Sequence, residues 1–424
     1  MKRVLAGLLV AALAAPTLVL AQDVMIRNAT VHTAGSKGTV RGADVLVQGG
    51  IIRAVGPGLL QPANIAVIDA GGKPLTPGLF GGLSGIGIEE VSAEKSTVDS
   101  TVTLPGEAAP QMRPEFDVTV AYNPASMLLP VARLGGVTFT ALSANSSEGG
   151  SLVAGQGGVV RLDGDPSAEI TGARLLYINL GGSAGDYSGG SRAAHFMLLE
   201  QAIREARGLT PYGSPYALLT PTGRETLARY LSGGRVVFNV DRAADIRQVL
   251  AFSKRHGLRP MIIGGAEAWQ VARELKAANV TVFIDALQGL PSSFDQLGSR
   301  LDNAALLAKA GTRVALLAPD STHNARKIRQ AAGNATANGL PWELALASIT
   351  RVPAEALGVG DRLGRIEVGL VADLVLWDGD PLEVSSLAER VWMGGKSMPM
   401  RSRQTELRDR YLPTPGALPR AYSH

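Results

Sequence analysis

Residues 76–85 read Thr-Pro-Gly-Leu-Phe-Gly-Gly-Leu-Ser-Gly and separate two parts of the chain with different sequence patterns. Before them, residues 24–68 contain short alternating, β-branched runs with glycine turns, which predicts a small β-domain. After them, short apolar runs of strand length alternate with segments that have apolar residues at helical spacing. Residues 76–85 therefore predict the passage from a β-domain into the first strand of a larger α/β domain.

The larger domain is predicted to be a (β/α)8 TIM-like barrel over residues 76–355. Its apolar runs are short and uniform, as expected of strands that are buried on both faces. The helical segment 243–256 ends in Lys-Arg-His before Gly257, a pattern typical of a helix C-terminus. Strand–helix alternation over this length favours a barrel. A doubly wound parallel sheet is the alternative, but no Gly-x-Gly-x-x-Gly follows the first strand of a βαβ unit.

The end of the chain contains further strand-like runs, at residues 372–377 and 390–393. The few short strands before residue 76 need additional strands to form a stable domain. The sequence therefore predicts one β-sandwich that is formed from both chain ends, residues 22–75 and 356–400. Residues 401–424 are then a C-terminal tail.

The N-terminus is predicted to be a cleaved signal peptide over residues 1–21. A basic Met-Lys-Arg start is followed by an apolar run and by small residues before Gln22. The run is short for a membrane span and is interrupted by Pro16, which argues against an anchor. We therefore expect a periplasmic or secreted protein without stable membrane insertion. The chain has no Cys, so its stability must come from packing rather than from disulfides.

The formal net charge is +4 at pH 7, and the charged residues are scattered along the chain. There is no Lys/Arg run and no basic segment with interleaved aromatic residues. Such a pattern is the usual footprint of a nucleic-acid-binding protein, so we expect no nucleic-acid partner.

Four segments together resemble the amidohydrolase superfamily, most closely its imidazolonepropionase-like members. They are residues 26–56, 75–79, 345–358 and 361–377, and they occur in the family's order. The resemblance implies a barrel flanked by a β-sandwich and hydrolysis of carbon–nitrogen bonds other than peptide bonds, with a small amide or cyclic amide as substrate. It also implies one or two divalent metals that generate hydroxide, and an aspartate on strand 8 as general base.

The residues at the family's metal-ligand positions depart from the family pattern. The His-x-His of strand 1 falls on Leu83 and Gly85, the strand-5 His on or next to Asn239, and the strand-6 His on Gly264. The strand near residues 175–180 contains no Lys. None of these side chains is a usual metal ligand, so the sequence predicts a degenerate metal site. No cofactor is therefore predicted with certainty.

The candidate catalytic residues are Asp320 and His323, which follow strand 8. The family aspartate aligns either with Pro319 or, one residue later, with Asp320, and in the first case the general base is lost as well. The alternative interpretation of this segment is a helix N-cap region, in which polar side chains satisfy free backbone N–H groups.

The candidate substrate-binding residues are Asn239, Asp241 and Glu267. Asp241 and Glu267 follow strands 5 and 6, and with Asp320 they could hold a single divalent ion, such as Zn, Mn or Fe, through oxygen ligands. Asp285 is a further candidate ligand of such an ion. Each carboxylate is also typical of a first helical turn, where the helix dipole favours negative charge.

Two other motifs carry weaker signals. Residues 181–185 match Gly-x-Ser-x-Gly after a strand, but five further residues separate them from the next helix, which favours a loop over a nucleophile elbow. Glu89 and Glu90 are adjacent and cannot both face the barrel interior, so at most one of them can take part in a site.

Two classes of function remain open. The first is an exported amidohydrolase-family hydrolase of non-peptide carbon–nitrogen bonds with most metal ligands replaced. The second is a non-catalytic pseudoenzyme that binds a ligand or a partner, either as a homo-oligomer or paired with an active homologue. The chain has only five His, too few at the right places for the family's site, which favours the second class.

Overall fold

A computed structural model of the protein describes residues 23–102, 112–146, 151–318 and 322–412. The predicted signal peptide and the end of the predicted tail lie outside the described residues. Within the described residues, no helix is both long enough and apolar enough to cross a membrane. The strands are β1 (Val24–His32), β2 (Thr39–Gln48), β3 (Ile51–Gly56), β4 (Ala66–Asp69), β5 (Pro74–Pro77), β6 (Leu79–Ser84), β7 (Val137–Leu142), β8 (Val153–Arg161), β9 (Glu169–Asn179), β10 (Arg235–Val240), β11 (Arg259–Gly264), β12 (Thr281–Asp285), β13 (Arg313–Leu317), β14 (Leu374–Trp377), β15 (Ala388–Met393) and β16 (Lys396–Ser397).

The helices alternate with the later strands, as the sequence predicts. They are α1 (Leu128–Leu134), α2 (Arg192–Ala206), α3 (Pro221–Tyr230), α4 (Ala243–His256), α5 (Ala272–Ala277), α6 (Asn303–Lys309), α7 (Ile328–Ala337), α8 (Trp342–Ser348), α9 (Arg351–Leu357) and α10 (Arg403–Tyr411). α4 ends as expected at Gly257, which has a left-handed backbone with φ +74° and donates its N–H to the Ser253 carbonyl.

Strands from both ends of the chain form one β-domain. Their order is β16-β15-β14-β5-β1-β2-β3, and β4 pairs with the beginning of β1 on the edge that β5 occupies further along. The junction is the antiparallel pair of β5 and β14, in which Pro77 lies opposite Leu374. Ile26, Leu75 and Leu374 are fully buried in its core. The predicted assembly of a β-domain from both chain ends is confirmed, with the strands hydrogen-bonded side by side in one sheet.

The central strands form a nearly closed eight-stranded barrel in the order β6 to β13. β13 closes against β6, where Leu317 Cδ2 lies 3.8 Å from the position of a Cβ on Gly82. The TIM-like barrel is thus confirmed, with one difference: β8 runs antiparallel to β7 and β9. The segments 143–152 and 162–168 that flank β8 are too short for the crossover that a parallel connection needs.

Residues 76–85 connect the two domains as predicted. Gly78 separates β5 from β6 and donates its N–H to the Asp373 carbonyl at 2.8 Å. A Cβ on Gly78 would overlap the side chain of Thr138, so the close approach of β6 to β7 requires glycine here. On the other side of the junction, Thr76 Oγ1 accepts a hydrogen bond from Trp377 Nε1 at 2.9 Å.

The barrel interior is packed by aromatic rings from separate strands. The ring of Phe80 lies 5.4 Å from that of Phe139 and 6.1 Å from that of Phe283, and all three side chains are fully buried. Edge-on and tilted ring pairs of this kind are favourable. Because this layer fills the middle of the barrel, a ligand can bind only above or below it, near one of the two barrel openings.

Candidate functional site

Two adjoining cavities lie at the C-terminal ends of the barrel strands, the face where TIM barrels carry their sites. Their volumes are about 300 and 320 Å³, and both are lined by Asn145 and Ile263. We refer to the two cavities together as the mouth cavity. The first part also contacts Ser143, Ala144, Ser146, Ala154, Tyr177, Ile178, Asn179, Val237 and Asn239. The second part also contacts residues 81–85, Glu89, Ser92, Leu317, Ala318, Thr322 and Ala325.

Three asparagine side chains line the first part of the mouth cavity. Asn239 pairs with Asn179 on one neighbouring strand and with Ile263 on the other. Asn179, Asn239 and Ile263 therefore stand at one level on three parallel strands. The Asn239 side chain is exposed and makes no hydrogen bond with the described residues. Asn179 Oδ1 accepts from the Gly181 N–H at 3.1 Å, and Asn145 Oδ1 accepts from Ser143 Oγ at 3.2 Å. These residues offer uncharged donors and acceptors to a ligand.

Among the described residues, the second part of the mouth cavity contains one carboxylate, that of Glu89. Glu89 Oε2 accepts a hydrogen bond from Thr322 Oγ1 at 3.0 Å. Thr322 Oγ1 in turn accepts from the Gly85 N–H at 3.1 Å. The chain of contacts holds Glu89 beside the end of β6, close to Leu83 and Gly85.

The described residues at the family's ligand positions do not fit a divalent metal centre. A Cβ on Gly85 would lie 2.9 Å from Thr322 Oγ1 and 3.0 Å from Glu89 Oε2, which leaves no room for a histidine. Gly264 has φ +92°, and a Cβ there would lie 2.7 Å from Asp241 Oδ1. Among the described residues, no three His, Cys, Asp or Glu side chains are grouped closely enough to hold a metal ion.

The predicted residues Asp241 and Glu267 lie next to each other but do not line the mouth cavity. Asp241 is 8% exposed, and its carboxylate accepts from the Ala266 N–H at 3.1 Å and from Gln296 Nε2 at 3.0 Å. Burial raises the pKa of Asp241. Glu267 Oε2 accepts from the N–H of Ala243, the first residue of α4, at 2.9 Å. Both carboxylates thus hold the backbone at the start of helical segments.

The candidates after strand 8 are only partly described. Asp320 and Pro319 lie outside the described residues, so the register of the family aspartate stays a prediction. His323 lies in the 3-10 turn Thr322–Lys327 that follows β13. Of that turn, Thr322 and Ala325 line the mouth cavity.

The remaining motifs have local structural partners. Residues 182–187 form a 3-10 turn that residues 188–191 separate from α2, unlike a nucleophile elbow. Asp285 Oδ1 accepts from the Leu287 N–H at 2.8 Å. Of the two adjacent glutamates, Glu89 faces the mouth cavity, and Glu90 Oε2 is buried without a hydrogen-bond partner among the described residues.

The sequence interpretation missed Asn145 and Asn179 as site residues. Both follow or end apolar strand runs, as Asn239 does, so a search for polar residues at every strand end would have found them. Asparagine is not a usual ligand of the metals that the family resemblance implies, so a search for metal ligands does not find them.

The fold and the position of the mouth cavity define a TIM-barrel protein with a β-domain built from both chain ends. Residues 221–400 match the model of the amidohydrolase family. The match covers less than half of the chain, and it supports a relation of that part to the amidohydrolase family.

Solved structures show the same fold. An amidohydrolase from Thermotoga maritima MSB8 matches with a TM-score of 0.78 and 24% identity, over 89% of this chain and 100% of that chain. Molinate hydrolase matches with a TM-score of 0.54 and 16% identity, over 96% of this chain and 99% of that one. Among curated proteins, the amidohydrolase tasK of Hapsidospora irregularis is 46% identical over 72 residues, 17% of this chain. The match spans 7% of the length of tasK.

Proposed function

We propose that this protein is a ligand-binding member of the amidohydrolase superfamily, whose mouth cavity binds a small uncharged molecule with amide groups. The observation that carries the proposal is the row of asparagines, Asn179 and Asn239 at one level with Asn145 nearby, at strand ends where the family's metal chemistry would take place. In this proposal the protein binds its ligand without metal-hydroxide hydrolysis.

The chemistry of the cavity supports an amide or cyclic amide ligand. A carboxamide side chain pairs with another amide through one N–H donor and one carbonyl acceptor. Within the described ranges the Asn239 carboxamide has both groups unused, and Asn145 and Asn179 each have an N–H₂ group beside an oxygen that is already bonded. Leu83, Ile263 and Leu317 add apolar wall to the cavity, as is common in ligand pockets.

Calorimetric titration with hydantoin, dihydrouracil and N-acetylglycinamide tests the proposal. We expect saturable binding of at least one of them and a loss of about tenfold in affinity for Asn239→Ala, the effect of one to two hydrogen bonds. Asn64→Gly is the matched control, because it removes an exposed carboxamide from a turn of the β-domain with φ +60°, which glycine tolerates. Absence of binding by the wild type, or unchanged binding by Asn239→Ala, would contradict the proposal.

A hydrolase of non-peptide carbon–nitrogen bonds is the second candidate, and the position of Glu89 favours it. Its carboxylate is the one carboxylate lining the mouth cavity among the described residues, and a carboxylate can act as a general base toward water. This candidate predicts turnover of the same amides that is lost in Glu89→Gln. Absence of turnover by the wild type would exclude this candidate for those amides. Stoichiometric Zn, Mn or Fe together with turnover would instead support metal-dependent hydrolysis.

Two further expectations accompany the proposal. We propose an exported protein, periplasmic or secreted, on the basis of the signal-like residues 1–21. We also propose that a non-catalytic member could act as a homo-oligomer or together with an active homologue. The mass of the chain from the natural host shows whether residues 1–21 are removed. Sedimentation analysis shows whether the protein is an oligomer.

A further inference from the structure

A cluster of arginines lies at the end of the barrel opposite the mouth cavity. Arg235, Arg259 and Arg313 are the first residues of β10, β11 and β13. Because the parallel strands all begin at the same edge of the barrel, their guanidinium groups collect at this end. Arg235 and Arg259 are directly paired across neighbouring strands.

Two cavities lie among these arginines. One, of about 380 Å³, is lined by Arg174, Arg229 and Arg235. The other, of about 410 Å³, is lined by Arg235, Arg259 and Arg313, so that Arg235 belongs to both. The Arg259 guanidinium also approaches the first cavity, since its Nη2 lies 3.7 Å from the position of a Cβ on Gly233 in the wall.

The carboxylates in these two cavities are already paired with other arginines. Asp117, in the first cavity, lies 2.6 Å from Arg174 Nη1. Glu355, in the second, lies 3.0 Å from Arg313 Nη2 and is shared with Arg351 and Arg365. No carboxylate among the described residues forms an ion pair with Arg229, Arg235 or Arg259. These three residues are the basic cluster.

The few polar contacts of the basic cluster leave most of its donors available. Arg229 Nη2 donates to Thr226 Oγ1 at 2.9 Å, and Arg235 Nη1 approaches the Gly172 carbonyl at 3.4 Å. Burial and then the neighbouring Arg259 charge lower the pKa of Arg235. Arg235 is half-buried, and the like charge of the exposed Arg259 beside it is unfavourable, which an anion between the two would offset.

We propose that the basic cluster Arg229, Arg235 and Arg259 binds a phosphate group, either as free phosphate or as part of a small phosphorylated molecule. Guanidinium groups donate two parallel hydrogen bonds to phosphate oxygens, and charge-assisted bonds of this kind are strong. The three cations, which have no carboxylate partner among the described residues, more than balance the charge of a doubly charged anion. Gln156 and Tyr230, which line the first cavity and are joined by a 3.0 Å hydrogen bond, give an organic portion a polar wall.

The packing of Arg235 alone has a second explanation, which the cluster as a whole does not share. The Arg235 guanidinium lies against Gly358, at the C-terminal end of α9, and a Cβ on Gly358 would overlap it. A cation at this position interacts favourably with the helix carbonyls. That contact accounts for Arg235, but Arg229 and Arg259 still have no counter-charge in the described part of the chain, and these two residues therefore distinguish the explanations.

Calorimetric titration of the purified protein with inorganic phosphate and with glucose 6-phosphate, at low and then at 0.5 M NaCl, tests the proposal. We expect saturable binding at low salt that weakens as salt screens the charges. Arg259→Gln and Arg229→Gln should each weaken it about tenfold, the effect of losing one charge-assisted hydrogen-bond pair. Tighter binding of glucose 6-phosphate indicates a phosphorylated ligand, and equal binding indicates free phosphate.

Arg53→Gln is the matched control, because Arg53 is an exposed arginine of β3 without an ion pair among the described residues. It should bind phosphate as the wild type does. Asn239→Ala should also bind phosphate normally, which separates this proposal from that for the mouth cavity. Absence of saturable phosphate binding at low salt, or equal binding by Arg259→Gln, Arg229→Gln and Arg53→Gln, would overturn the proposal.

Discussion

The substitution Gly85→Ala tests whether the end of β6 has been repacked in a way that excludes a metal ligand. The new methyl group would lie 2.9 Å from Thr322 Oγ1, 3.0 Å from Glu89 Oε2 and 3.1 Å from Glu89 Cβ. All three distances are below the range of ordinary van der Waals contact. The change would therefore displace the side chains of Thr322 and Glu89. It would disturb the hydrogen bonds from the Gly85 N–H to Thr322 and from Thr322 to Glu89.

The expected cost follows from these contacts. Overpacking of a close-packed site costs about 1–3 kcal/mol, and disturbing one hydrogen bond costs about 0.5–1.5 kcal/mol. Replacing glycine stabilises by about 0.4–1 kcal/mol through the unfolded chain. The net loss in the free energy of unfolding should be about 1–3 kcal/mol. A histidine at position 85 should cost more, since it adds a ring to the same space.

Urea unfolding followed by tryptophan fluorescence measures this loss, with Gly56→Ala as control. Gly56 ends β3, has no left-handed backbone, and a Cβ there would have no atom within 4 Å. Its replacement should leave stability unchanged or raise it by up to about 1 kcal/mol. If Gly85→Ala were as stable as Gly56→Ala, the end of β6 would have room for a side chain, and the argument against a metal ligand at position 85 would be wrong.

Three further predictions concern other parts of the chain. Trp377→Phe removes the donor to buried Thr76 Oγ1 and should lower the free energy of unfolding by about 1–3 kcal/mol; an unchanged urea midpoint would contradict this. Burial lowers the pKa of His195, which is 2% exposed, so the unfolded chain takes up the proton first as the pH falls below about 6.5. Stability should therefore fall from pH 7.5 to 5.5, and His195→Asn should show a shallower fall; an equal slope in both proteins would refute this role. Incubation with EDTA should leave the melting temperature unchanged if no structural or catalytic metal is bound, whereas a fall that added Zn²⁺ reverses would show a bound metal.

Much of the fold could be predicted from the sequence because it depends on local patterns. Alternating β-branched runs before residue 76 and at residues 372–377 predict strands of one domain, and strand–helix alternation predicts the barrel. The antiparallel strand β8 was not predicted as such. A short apolar run looks the same in either direction, and its direction depends on the length of the connections and on pairing with β7 and β9.

The candidate site, like the fold, could be predicted from the sequence only in part. The sequence by itself shows that Leu83, Gly85 and Gly264 carry no side chain that could bind a metal, because that property belongs to each residue alone. Only the tertiary structure decides that Asn145, Asn179 and Asn239 line one cavity, while Asp241 and Glu267 turn aside to bond backbone N–H groups. The physical reason is that residue identity sets the chemistry available at residues 76–85 and at the other strand ends, whereas strand pairing and barrel closure determine which of those groups meet.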